Sequence, residues 1–272
     1  MLLAIDIGNS NVSLGVFDGE SLTQSWRLAT RRDCTADELG ILVTQLFAHR
    51  HLDLARVDGI IISSVVPPLT GTMADMALRY FGQDALMVDF GVDIGIPVLY
   101  ENPAEVGPDR LVNGLAGFEL YGRPRQAPVI VVDFGTATTF DAISVSGEYL
   151  GGVICPGIQI SADALFQRAA RLPRIDVRQP DRVIGRTTVA SMQSGLFFGQ
   201  VAMVEGIVGR MRRELAADER VSRGATATCV ATGGIARLIA AEASVVEDVN
   251  LDLTLRGLRI AWERSNRRAA GS

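Results

Sequence analysis

The chain opens on an apolar run, "LLAIDI" (residues 2–7), that carries one carboxylate near its end, Asp6. A small polar turn follows, Gly8, Asn9, Ser10 and Asn11, and the chain becomes apolar again. Run, turn and run predict two antiparallel strands, and the Asp-Gly step at 18–19 predicts a hairpin into a third. Residues 129–149, "VIVVDFGTATTFDAISVSGEY", repeat this scheme. Asp133 falls under Asp6, Gly135 under Gly8 and Thr138 under Asn11, at an offset of 127 in a chain of 272 residues. The second hairpin turn contains Ser-Gly where the first has Asp-Gly.

Behind each meander the apolar period changes from two to about 3.6. Residues 36–50 predict a helix with Thr35 as N-cap. Residues 57–67 predict a buried strand, 70–81 a helix and 85–90 another strand. In the second half, 158–172 predict a helix, 226–234 a strand entering a Gly-rich turn, and 253–266 a closing helix. A long helix is expected over 187–215. Phe197, Val201, Val204, Val208, Met211 and Leu215 form one apolar stripe on it, and Leu196, Met203 and Ile207 a second. Such a helix must be covered on two sides, by its own core or in part by another subunit. "YGRPRQAP" (121–128) reads as an inter-domain linker. The pattern is α/β: two duplicated domains, 1–121 and 122–272, each a mixed sheet that opens with an antiparallel three-strand meander and is flanked by helices.

Composition narrows the chemistry. All 26 basic side chains are arginine. A P-loop needs its lysine, a Schiff-base enzyme needs an amine and a protein kinase needs its strand lysine, so these classes are excluded. Cys34, Cys155 and Cys229 are far apart and form no CxxC, which suits inert thiols in a reducing compartment. The two histidines, His49 and His51, flank Arg50 at a helix end, so zinc and Ser-His chemistry have little support. A net charge of -5 and a pI near 5.2 argue against a nucleic-acid partner. No stretch is long and apolar enough for a membrane span, and the expected location is cytoplasmic.

A charge at a buried strand end is costly unless it binds something. Backbone N–H groups in a Gly-containing turn can form an anion-binding concavity. Asp6 would repel phosphate unless a cation stood between them, and a hydrated Mg²⁺ suits that place. The second turn offers Asp133, Thr136, Thr138 and Thr139. Two such turns, one per domain, predict a polyphosphate held between them; the alternative is a duplicated hairpin without ligand. "VATGGIARLI" (230–239) suits adenosine approaching bare backbone at Gly233 and Gly234, although the glycines could simply cap the strand. Asp141 reads as structural.

"DIGNSN", "DFGTATTFD" and "TGG" resemble the phosphate-1, phosphate-2 and adenosine motifs of the acetate/sugar kinase, Hsp70 and actin superfamily. Within it the chain is similar to type III pantothenate kinases, through "YENPAEVGPDRLVN" (100–113), "GGVICPG" (151–157) and "TTVASMQSG" (187–195). The resemblance runs from Met1 to about Trp262 and implies ribonuclease-H-like, actin-like domains. It implies ATP-dependent phosphorylation of pantothenate to 4′-phosphopantothenate, the first step of coenzyme A biosynthesis. Asp6, Ile7, Gly8, Asn9, Ser10, Asn11, Val12 and Ser13 would form the first ATP loop, with Thr136, Gly233 and Gly234 also at ATP. Tyr100, Gly107, Pro108, Asp109 and Arg110 would contact pantothenate, with Asp109 as proton acceptor. Thr188 would reach pantothenate across a homodimer interface. Asp133 would hold a monovalent cation, K⁺ or NH₄⁺, and Asp6 would hold Mg²⁺ through water.

One departure is visible. Pro108 stands where the family usually has alanine, which removes one N–H. Without the motif, Asp109 would equally serve as a helix-start carboxylate and Tyr100 as a core-edge aromatic. Two alternatives keep the fold: a kinase of another small hydroxy acid, or a non-catalytic regulatory accessory protein.

Overall fold

The two apolar runs that carry Asp6 and Asp133 are the central strands of two sheets. The computed structural model describes residues 1–89, 94–169 and 171–271. In chain order the elements are β1 (Leu2–Ile7), β2 (Asn11–Asp18), β3 (Ser21–Ala29), α1 (Ala36–His49), β4 (Gly59–Ser64), α2 (Pro67–Phe81), β5 (Leu86–Val88) and α3 (Pro108–Gly117). Then come α4 (Arg123–Arg125), β6 (Val129–Phe134), β7 (Ala137–Ile143), β8 (Tyr149–Pro156), α5 (Ile158–Arg168), α6 (Thr188–Ala216) and α7 (Glu219–Ser222). The chain closes with β9 (Thr228–Gly233), α8 (Ala236–Ala240), β10 (Asp248–Val249) and α9 (Leu253–Gly271). The strand expected over 85–90 is thus short, and its position 90 lies outside the described residues.

The first sheet has the order β3-β2-β1-β4-β5 and the second β10-β9-β6-β7-β8, the same order read from its other end. In each, the meander is antiparallel and the next strand joins parallel to the first. The duplication inferred from the Asp-x-Gly turns therefore extends to topology. It also corrects the alignment beyond the turn. Val12 lies opposite Ile7, whereas Thr138 lies opposite Phe134. The second turn is one residue shorter, so Thr138 corresponds to Val12 rather than Asn11. Both are buried accordingly, at 1% and 3% exposure.

The chain divides into two compact units. One comprises Met1–Ile96, Glu101–Ala116 and the segment from Leu253 on; the other comprises Pro97–Tyr100 and Gly117–Asp252. The closing helix α9 thus packs with β1, β2 and β4 of the first unit, where sequence order alone assigned it to the second half. Each unit has its own core. In the first, Leu3, Ile5, Ile7, Ile60 and Ile62 of β1 and β4 meet Leu39, Val43 and Phe47 of α1 and Met73 and Met76 of α2. In the second, Ile130, Val132, Cys229 and Ala231 meet Phe197, Val201, Val204 and Val208 of α6.

Local chemistry explains the element ends. Thr35 caps α1 in a reciprocal capping box with Glu38. The proposed linker at 121–128 is instead mostly helical: α3 runs on through a π-turn segment, Phe118–Gly122, into α4. Pro124 lacks the N–H that a regular helix would demand, and widening the preceding turn accommodates it. Both apolar stripes of α6 are used inside the second unit, Leu196 within the core and Met203 and Ile207 packed against it. Among the described residues no helix is long and apolar enough to cross a membrane.

Candidate active site

In the first unit, β1 delivers Asp6 to the sheet end and the chain turns tightly. Gly8 N–H donates to Asn11 O at 2.9 Å. Asn9, Ser10 and Asn11 are exposed; the side chains of Ile7 and Val12 lie in the core, so these two could meet a ligand only through backbone. Asp6 is half-buried and lies opposite Ser13 on β2 and Ser63 on β4. Ser63, fully buried, donates its hydroxyl to Asp6 Oδ1 at 2.9 Å. Sequence reading missed Ser63, because its partner is 57 residues away. It also missed the end of β3, where Thr30 and Arg32 bond to the turn.

The "GPDR" motif begins α3. Gly107 O accepts the N–H groups of Arg110 at 3.1 Å and Leu111 at 3.2 Å. Pro108 is the first helical residue, where an N–H would have no intrahelical partner, so it suits this position. Asp109 is half-buried and accepts the Arg110 N–H on Oδ1 at 2.8 Å. Burial pushes the Asp109 carboxyl above the usual range, opposed by that N–H and by the Arg110 charge. Arg110 is itself buried, at 8% exposure. A Cβ at Gly107 would meet Asp109 Oδ1 at 2.5 Å and lie 3.9 Å from Val65 Cγ1. Val65 in turn donates its N–H to Ile7 O at 3.0 Å. The acid-bearing loop and the first turn thus share one end of the first sheet.

In the second unit, Asp133 is half-buried and Thr136 exposed. Gly233 has φ +95°, and a Cβ there would meet Asp133 Oδ1 at 2.6 Å. Gly234 N–H donates to Phe134 O at 3.1 Å. The Thr-Gly-Gly segment therefore lies directly on the second turn, as parallel pairing of Asp133 with Thr232 requires. Gly157, just before α5, is equally constrained, since a Cβ would run into the Thr136 carbonyl. Thr138 points inward and accepts a hydrogen bond from Gln200 Nε2 at 2.9 Å. Asp141 is wholly buried and accepts from Tyr149 OH at 2.7 Å, a structural role as expected.

Tyr100 lies beside Tyr149, ring centroids 6.5 Å apart, and against Gly151. Thr188 is the exposed first residue of α6, after Thr187, whose hydroxyl accepts the Ala190 N–H at 3.1 Å. It lines an open groove of about 830 Å³ with Leu165, Leu172, Arg186, Ser191 and Met192. Among the described residues no group of three or more His, Cys, Asp or Glu could hold a metal ion.

The family model for type III pantothenate kinase matches residues 2–210. The type III pantothenate kinase of Moorella thermoacetica is 51% identical over 97% of this chain and 100% of its own. That of Myxococcus xanthus is 51% identical over 98% of this chain and 99% of its own. Among solved structures, a Campylobacter jejuni protein described as a Baf family transcriptional activator superposes with a TM-score of 0.58 at 19% identity, over 97% and 99% of the two chains. That likeness concerns fold alone. The motifs at both turns, the Gly107–Arg110 helix start and the match along nearly the whole length together place this chain in the type III pantothenate kinase family.

Proposed function

We propose that this protein transfers the γ-phosphoryl group of ATP to the primary hydroxyl of pantothenate, giving 4′-phosphopantothenate and ADP, the entry step of coenzyme A biosynthesis. The observation that carries this reading, within a family so named, is Asp109 at the start of α3, with its carboxyl pushed up by burial and Arg110 beside it. Phosphoryl transfer passes through a loose transition state, so alignment and charge stabilisation dominate. Asp109 orients the hydroxyl and accepts its proton late, because a carboxylate is too weak a base to ionise an alcohol beforehand. The raised pKa moves it a little nearer to that task. Arg110 suits a carboxylate or a phosphoryl group equally.

The first turn, Asp6 to Ser13, and the second, with Thr136, Gly233 and Gly234, serve ATP. Asp6 would hold hydrated Mg²⁺, which supplies charge neutralisation to the phosphates. Asp133 would hold a monovalent cation, K⁺ or NH₄⁺. Tyr100, Gly107 and Pro108 would contact pantothenate, and Thr188 would reach it from a second copy in a homodimer. Support for the homodimer comes from the outer face of α6. Gly195, Gly199 and Ala202 are exposed at helical spacing, and Cβ atoms at the two glycines would meet nothing within 4 Å. Small residues on a long helix permit close approach of another backbone.

A coupled ADP-release assay with pantothenate against a panel of small hydroxy acids tests the assignment. Pantothenate-dependent ADP release, well above every other acid, is expected. Release that ignores pantothenate, or a better acceptor in the panel, overturns it.

A further inference from the structure

The first turn is not held by β1 and β2 alone. Thr30, directly after β3, donates its hydroxyl to Gly8 O at 2.6 Å and its backbone N–H to Ser10 O at 3.1 Å. Arg32 Nη2 donates to Asn9 Oδ1 at 3.2 Å. Three acceptors of the turn, on three successive residues, are thus engaged by a segment about 20 residues further along the chain.

This arrangement has an electrostatic consequence. A trans peptide plane carries its C=O and the following N–H on opposite sides, and no peptide among the described residues is cis. Binding Gly8 O and Ser10 O to Thr30 therefore turns the N–H groups of Asn9 and Asn11 away from Thr30. A turn that bound anions with its carbonyl oxygens outward would repel them; one whose carbonyls are engaged behind presents N–H dipoles in front. Arg32 adds a full positive charge at the same turn. In a chain without lysine, phosphate charge must be met by arginine, metal or backbone, and Arg32 is bonded directly to the turn.

We propose that Thr30 and Arg32 form a clamp for the first phosphate turn. Thr30 is a positioning residue that sets which dipoles face the nucleotide, and Arg32 supplies charge to its phosphates while holding Asn9. The proposal rests on the kinase reading above and extends it to a segment outside the phosphate motif.

The test uses the full-length protein and a non-hydrolysable ATP analogue with Mg²⁺, by calorimetry, together with separate KM values for ATP and pantothenate. Thr30→Val keeps the shape and removes the hydroxyl. It is expected to weaken analogue binding by about tenfold and to raise the KM for ATP similarly, leaving the KM for pantothenate within about twofold. Thr30→Ser restores the hydroxyl and should recover most of the affinity. Arg32 is exposed, so Arg32→Ala folds even if Thr30→Val does not. It should weaken the analogue by a comparable factor and flatten the salt dependence of binding, with Arg32→Lys recovering part of both. Wild-type affinity in Thr30→Val overturns the positioning role, and wild-type affinity in Arg32→Ala overturns the charge role. Equal loss for ATP and pantothenate would make the segment merely structural and also sinks the clamp. If the unaltered protein binds no nucleotide, the kinase reading itself fails, a result distinct from the others.

Discussion

A β-carbon placed on Gly107 would lie 2.5 Å from Asp109 Oδ1, so the carboxylate occupies space that only glycine leaves open. Gly107→Ala must push the Asp109 side chain aside or displace the helix start. Misplacing a reacting group by about 1 Å can cost about 10²-fold. The expected result is a fall in kcat of that order with the melting temperature little changed. Steady-state kinetics beside a thermal melt would show it, and an unchanged kcat would detach Asp109 from the chemistry.

Asp109 also makes a pH prediction. Burial raises its pKa in the folded state, so the folded protein binds the proton more tightly than the unfolded chain. Stability then falls as pH rises from the unfolded carboxylate pKa through the higher folded one, and the loss persists at neutral pH. Asp109→Asn should therefore melt no lower than the parent at pH 7, and higher if its amide is accommodated. Turnover should drop by about 10²-fold or more. The parent's kcat/KM should decline on acidification with a midpoint above the usual carboxylate range. A profile flat down to pH 4 would argue against Asp109 as proton acceptor.

Ser63 gives the Asp6 carboxylate a buried hydrogen bond at 2.9 Å. A hydrogen bond to a charged group contributes about 1.5–3 kcal/mol. Ser63→Ala should lower unfolding stability by roughly that amount in denaturant titration. It should also raise the Mg²⁺ concentration needed for half-maximal activity, since the Asp6 carboxylate then loses one of the bonds that orient it. Ser63→Ala with unaltered stability and Mg²⁺ response would leave Ser63 as filler.

The exposed face of α6 at Gly195 and Gly199 yields a test of assembly. Gly199→Arg puts a bulky charge where the homodimer reading puts another backbone. The variant should elute as a monomer in size-exclusion chromatography with light scattering, keep its circular dichroism, and lose affinity for pantothenate far more than for ATP. A variant that remains dimeric moves the interface elsewhere.

Much of this was legible along the chain. Alternating runs and Asp-x-Gly turns located β1, β2, β6 and β7, and the Thr35 cap located α1, because these signals are local: side-chain period, turn chemistry and a capping oxygen act over a few residues. The "GPDR" step likewise marked a helix start that carries an acid. The helical character of 121–125 was not legible because Pro and Gly suggest a break, whereas a π-turn absorbs Pro124 without ending the helix. The alignment of Thr138 with Asn11 failed because one residue fewer in the second turn reverses which face a side chain takes.

The amino-acid order by itself determined the duplicated meander, the absence of lysine chemistry and the motifs that name the family, since each depends only on which residues neighbour one another. Tertiary structure alone decided which distant groups complete the site. Ser63 reaches Asp6 because parallel pairing of β4 with β1 brings them level. Thr30 and Arg32 reach the first turn because β3 returns along β2. Gly233 lies on Asp133 because β9 pairs with β6. Gly107 lies beside Val65 because the chain folds back to the end of the first sheet. Hydrogen-bond register, with no trace in local sequence, makes these meetings.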